Sequence, residues 1–147
     1  MFPKGLVIAV CTGVVSAIIL GVYLEQLSSK KQGLEFIEGP SLSVITDKQN
    51  YLAGQSVEIR IINSGTQALM FSDKAPKLQI RALDGTTIFS SDIQSSSLNP
   101  RQESVFVWNQ TKNDGTAVIG GRYVVESSTF TENEQKITDS VTINVLK

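Results

Sequence analysis

The polarity of the chain changes character once. Residues 5–24, GLVIAVCTGVVSAIILGVYL, are 20 positions without a charge. As a helix rising about 1.5 Å per residue they span roughly 30 Å, the thickness of a bilayer's hydrocarbon core. Residues 25–40, EQLSSKKQGLEFIEGP, are more polar and end at Gly39-Pro40, a boundary signal. From Ser41 onward apolar residues recur at every second position. Segments 42–46, 56–61, 68–71, 77–82, 86–90, 104–108, 122–130 and 137–146 read as strands. Val57, Ile59 and Ile61 share one face of their strand, and Val141, Ile143 and Val145 share one face of another. Asn63-Ser64-Gly65 is a turn, and Asp84-Gly85 closes a hairpin. The predicted fold class is mainly β: one N-terminal transmembrane helix over residues 1–27, a linker over 28–40, and an antiparallel two-sheet sandwich of seven or eight strands over 41–147. Trp108 and Tyr123 are placed to fill its core.

An uncleaved anchor fits the apolar run better than a secretory signal. Signals have shorter apolar regions, more basic residues ahead of them and a small-x-small cleavage site. Here only Lys4 and the terminal amine precede the run, and Tyr23 stands at an interfacial position. Ile8-Ala9-Val10-Cys11 departs from a lipoprotein box at Val10. Lys4-Gly5 before an apolar stretch resembles the cleavage site of type IV pilins and archaellins, whose early helical Glu is missing, because no acid occurs before Glu25. Flanking charge does not orient the helix, since Lys30 and Lys31 balance Lys4 and the amine. The Ser/Thr-rich β region favours a membrane location, single-pass, with the C-terminal domain extracytoplasmic. Within the run, Gly5, Ala9, Gly13, Ala17 and Gly21 recur every four positions. Small residues at this spacing let helices approach closely, and Thr12 and Ser16 add hydrogen-bonding groups. The stripe turns by roughly 160° from end to end at about 100° per residue, so one straight helix cannot touch all of it. The expected partners are other transmembrane helices, extracytoplasmic domains of a membrane complex, and the lipid bilayer.

Composition removes several kinds of chemistry. The net charge of −1 offers no basic surplus for nucleic acid, so no nucleic-acid partner is expected. The chain has no His, which takes away the commonest general base and metal ligand. Its single cysteine, Cys11, lies inside the apolar run, so no internal disulfide can form. A copper-binding sandwich would need His and Cys ligands, and a phosphate loop at Gly120-Gly121 would need a Lys and a following helix rather than a strand. No Ser-x-x-Lys occurs in the domain to suggest a Ser–Lys hydrolase. The loop from Asn109 to Gly115 holds oxygen-bearing side chains, but only Asp114 is acidic and Lys112 interrupts the set, so a turn is expected there rather than a calcium site. The expectation is no catalytic residue, no metal and no cofactor. Asn109-Gln110-Thr111 is a glycosylation sequon, which makes Asn109 the candidate acceptor.

Two segments carry a resemblance. Asn50-Tyr51-Leu52-Ala53-Gly54-Gln55-Ser56-Val57 resembles the Y-x-x-G-x-x-V entry into the second strand of prokaryotic immunoglobulin-like domains. Leu98-Asn99-Pro100, Trp108, Asp114-Gly115, Val118 and Gly121-Arg122-Tyr123 are similar to the L-x-P, W, D-x-x-G-x-x-V-x-x-G-x-Y pattern. That pattern occurs in the intracellular proteinase inhibitor (BsuPI-type) domain and in the immunoglobulin-like part of flagellar hook-capping proteins. The resemblance implies an immunoglobulin-like sandwich. It leaves function open, because one sandwich serves many tasks. Proteinase inhibition is one implied activity, although that family is typically cytoplasmic and this chain carries an apolar run. The layout, one helix and one sandwich, also resembles archaellum stator and envelope-anchoring proteins. The expected function is a non-catalytic accessory subunit of a membrane or cell-envelope complex. The alternatives are a pilin-like or stator-like appendage component and a membrane-tethered protease inhibitor.

Overall fold

The structure, a computed structural model, describes residues 34–147. They form ten strands: β1 (Leu42–Thr46), β2 (Asn50–Leu52), β3 (Val57–Asn63), β4 (Leu69–Met70), β5 (Leu78–Ala82), β6 (Thr87–Ser91), β7 (Ser97–Leu98), β8 (Glu103–Trp108), β9 (Gly121–Phe130) and β10 (Lys136–Leu146). No helix among the described residues is long and apolar enough to cross a membrane. One sheet runs β1-β3-β8. The other runs β2-β10-β9-β4-β7, with β5 also paired to β9 and β6 to β5.

Alternation explains how these strands bury one face. Val57, Ile59 and Ile61 of β3 are fully buried, while Glu58 between them is exposed. Each such aliphatic side chain contributes about 1.5–3 kcal/mol when removed from water. Leu78 and Ile80 of β5, Val125 of β9 and Ile143 of β10 supply the opposing layer. Trp108 sits among aromatics, 6.2 Å from Phe89 and 6.1 Å edge-on from Tyr123 between ring centroids. Its indole N–H donates to Thr111 O at 2.8 Å, so the ring is buried without an unpaired donor. The hairpin at Asp84-Gly85 forms as expected, with Gly85 at φ 90°, where a side chain would be strained.

Two features depart from the sequence expectation. Ten strands stand where seven or eight were predicted, and the pairing is not wholly antiparallel, because β2 lies parallel to β10. The additional strands, β2 and β7, are three and two residues long. In β2 and β7 a single buried residue, Tyr51 or Leu98, stands beside exposed ones, too little to show alternation. β2 is held by a partner far along the chain, with Tyr51 opposite Val145.

The segment entering β1 is laced to the end of β3. Ile37 N–H donates to Ser64 O, Ser64 N–H to Ser41 O, and Thr66 N–H to Gly39 O. The Ser64 hydroxyl meets both Ser41 Oγ at 2.9 Å and Ser43 Oγ at 2.8 Å. Gly65 is required here for space: a Cβ on it would lie 2.1 Å from Gly39 O.

Candidate functional site

The residues that carry the sequence resemblance are residues of the fold. Tyr51, Val57, Leu98, Trp108, Val118 and Tyr123 are all buried. Gly54 and Gly115 both have φ 84°. The Tyr51 hydroxyl donates to Asp47 Oδ1 at 2.6 Å and accepts Lys48 N–H at 2.9 Å. Asp47 Oδ1 also accepts Glu58 N–H. Burial first, then the Asp47 carboxylate, pushes Tyr51 ionisation up to about 12. The hydrogen bond from Tyr51 is the main force that lowers Asp47 below the usual carboxylate range. This pair pins the β1–β2 connection to the start of β3.

The loop after β8 spends its oxygens on the protein. Asp114 Oδ1 accepts both the hydroxyl and the N–H of Thr116, which lowers the Asp114 carboxyl below its ordinary range. Asn113 bonds both backbone groups of Ser90, accepting at 2.7 Å and donating at 2.9 Å. Asn109, the sequon residue, is exposed, and its Oδ1 accepts the Ser56 hydroxyl at 3.2 Å. Gly5, Ala9, Gly13, Ala17 and Gly21, the helix-packing set, lie outside the described residues. Among the described residues, no group of three or more acidic or sulfur ligands is placed to hold a metal ion.

A cavity of about 520 Å³ opens between residues 73–77 and 90–92. Its lysines are engaged: Lys74 pairs with Glu134 at 2.8 Å, and Lys77 donates to Ile93 O at 3.4 Å. Of its hydroxyls, that of Ser91 donates to the Asp92 carbonyl.

The strand edges are more informative. An unpaired edge is a template for another strand, and proteins block such edges with side chains or keep them short. On β1, the Val44 N–H points away from β3 and donates to Asp139 Oδ2 at 2.7 Å. On β2, Leu52 N–H donates to Gln55 Oε1 and Leu52 O accepts from Gln110 Nε2. On β6, Asn113 occupies Ser90. The two-residue β7 is too short to template a partner.

β8 is different. Asn63 N–H donates to Gln102 O, and with the β3–β8 register this directs the backbone groups of Ser104, Phe106 and Trp108 at β3. Those of Glu103, Val105 and Val107 therefore point outward, and no strand among the described residues meets them. The side chains of Val105 and Val107 are each 52% exposed on the outer face of the same sheet. Arg60 lies across from Val105, and its Nε donates to Glu103 Oε2 at 3.0 Å. The sequence signal for this surface was the run Val105-Phe106-Val107-Trp108, apolar on both faces of one strand. Asp139, Gln110 and Asn113, which close edges of β1, β2 and β6, lie far along the chain from the groups they meet and gave no signal.

No family model matches the sequence, and no curated protein matches it. Among solved structures, the chain is similar to the sporulation control protein Spo0M of Bacillus subtilis, at a TM-score of 0.49 and 18% identity, over 76% of this chain and 51% of that one. It is also similar to the Bacillus subtilis protein ycdA, at a TM-score of 0.32 and 13% identity, over 70% of this chain and 34% of that one. The chain thus spans about half the length of Spo0M and about a third of ycdA.

Proposed function

We propose that this protein is a non-catalytic accessory subunit of a membrane or cell-envelope complex. One helix over residues 1–27 anchors it, and an extracytoplasmic β-sandwich of the prokaryotic immunoglobulin-like kind docks on neighbouring subunits. The observation that carries this reading is the uncharged run 5–24 with a small residue at every fourth position. Such a stripe in lipid favours contact with other helices. A binding role is supported by buried polar side chains that are bonded within the domain. Asn63 Nδ2, for example, donates to Leu98 O and Gln67 O while its Oδ1 accepts Gly65 N–H.

Native mass spectrometry of the chain, extracted from its own membrane in mild detergent, tests the reading. The expected result is co-migration with other subunits and a released mass that includes residues 1–5. Replacing Gly13 and Ala17 together with Leu should leave membrane insertion intact and weaken that assembly by about tenfold, since bulk blocks close helix approach. Unchanged assembly in the double variant would remove the packing argument. A mass shortened after Gly5 would favour the pilin-like alternative, which rests on Lys4-Gly5. A released mass carrying a glycan that disappears on Asn109→Gln would place the modification at the sequon.

A further inference from the structure

We infer that the open edge of β8 is a homodimer interface, at which a second copy of this chain adds its own β8 antiparallel about a two-fold axis at Val105. This proposal does not rest on the membrane reading. It follows from which edge is open and from what that edge carries. The edges of β1, β2 and β6 are occupied by Asp139, by Gln55 with Gln110, and by Asn113. The outer edge of β10 over 136–142 also meets no strand among the described residues, but the exposed side chains it carries there, Lys136, Thr138, Ser140 and Thr142, are polar. β8 is six residues long and has no such plug among the described residues. Its outward backbone groups belong to Glu103, Val105 and Val107, which also share one side-chain face.

The strand is complementary to itself. With Val105 opposite Val105 of the copy, Glu103 faces Val107 at both ends of the pairing. No two like charges stand opposite each other, and the Glu103 carboxylate is already neutralised by Arg60 of its own chain. Val105 and Val107 of both copies then form one apolar cluster on the outer face of a continuous six-stranded sheet. Cross-strand aliphatic pairs of this kind stabilise antiparallel sheets. A second copy presents the matching strand, in which apolar residues and outward amides alternate in the same phase. An interface built on one six-residue edge belongs to the small, weak class. Dimerisation is therefore expected between about 1 and 100 μM.

The test uses the full chain in detergent, with its mass followed by light scattering across that range and amide exchange followed by residue. The expected result is a concentration-dependent dimer in which the Glu103, Val105 and Val107 amides become slow to exchange. Val105→Pro removes an N–H that β3 does not use, and Pro is tolerated on edge strands. It should weaken dimerisation by about thirtyfold, as the loss of two hydrogen bonds implies, with an unchanged melting temperature. Val105→Lys keeps the N–H but sets two ammonium groups opposite each other, and it should weaken the dimer as well. The Gly13→Leu and Ala17→Leu changes should leave the β8 protection in place, which separates this contact from helix packing. A monomer throughout the range would overturn the proposal and leave the edge to a strand of a different protein. So would a dimer that both Val105 variants retain, or one in which the three amides exchange freely.

Discussion

Tyr51 shows how far one residue can be read. Its spacing to Gly54 and Val57 marked it as a fold residue, and it is 1% exposed. Its partner could not be read, because Asp47 meets it only through the turn between β1 and β2. The pair makes stability depend on pH in two directions. An unfolded phenol ionises near 10.0, and in the folded chain this moves up to about 12. The protonated, folded form therefore holds its full advantage below pH 10 and loses it as pH rises through about 12. Asp47 is displaced downward, so its contribution is full above the usual carboxylate range and is lost as pH falls through and below that range. Tyr51→Phe should cost about 1 kcal/mol at neutral pH. It should also flatten both limbs of the stability profile measured by urea unfolding. Some alkaline slope will remain from Tyr123, which burial also raises. An unaltered acid limb would show that Asp47 does not depend on this hydroxyl.

The long strands and β4 were legible, while β2, β7 and the closing of edges were not. The period-two segments matched β1, β3, β5, β6, β8, β9 and β10 because each exceeds four residues and buries one face. Edge closure depends instead on single polar side chains separated from their targets by many positions. Asp139 and Val44 stand 95 residues apart in sequence. Asp139 lies on the same face of β10 as Ile137 and Val141, which pack against the core, and it is half-buried where it accepts the Val44 N–H. Asp139→Ala should leave the Val44 N–H without an acceptor and cost about 1–3 kcal/mol. Asp139→Asn, which keeps an acceptor oxygen, should recover most of that loss. Amide exchange at Val44 is the readout, and an unchanged rate in the Ala variant would show that β1 is closed by something else. The β8 edge was half legible in the same way. Its valines could be seen in the sequence, but its openness appears only in the pairing of the strands.

At the scale of the whole domain, β10 joins what the other elements leave apart. It pairs with β9 along ten residues, holds β2 in parallel, and sends Asp139 across to the second sheet. A chain ending after Gln135 should therefore lose cooperative unfolding and the near-ultraviolet signal of Trp108, whereas loss of a peripheral strand would only lower the midpoint. A cooperative transition in the shortened chain would mean that β9 and the smaller sheet suffice. The placement of β10 also sets a timetable. During synthesis the inner faces of β1 and β3 emerge first and wait with their isoleucines and valines in water. They cannot be fully covered until Lys136–Leu146 has left the ribosome, because contacts this distant in sequence form only after the intervening chain exists. The domain thus matures late and all at once, and whatever holds the nascent chain in that interval governs how much of it reaches the native state.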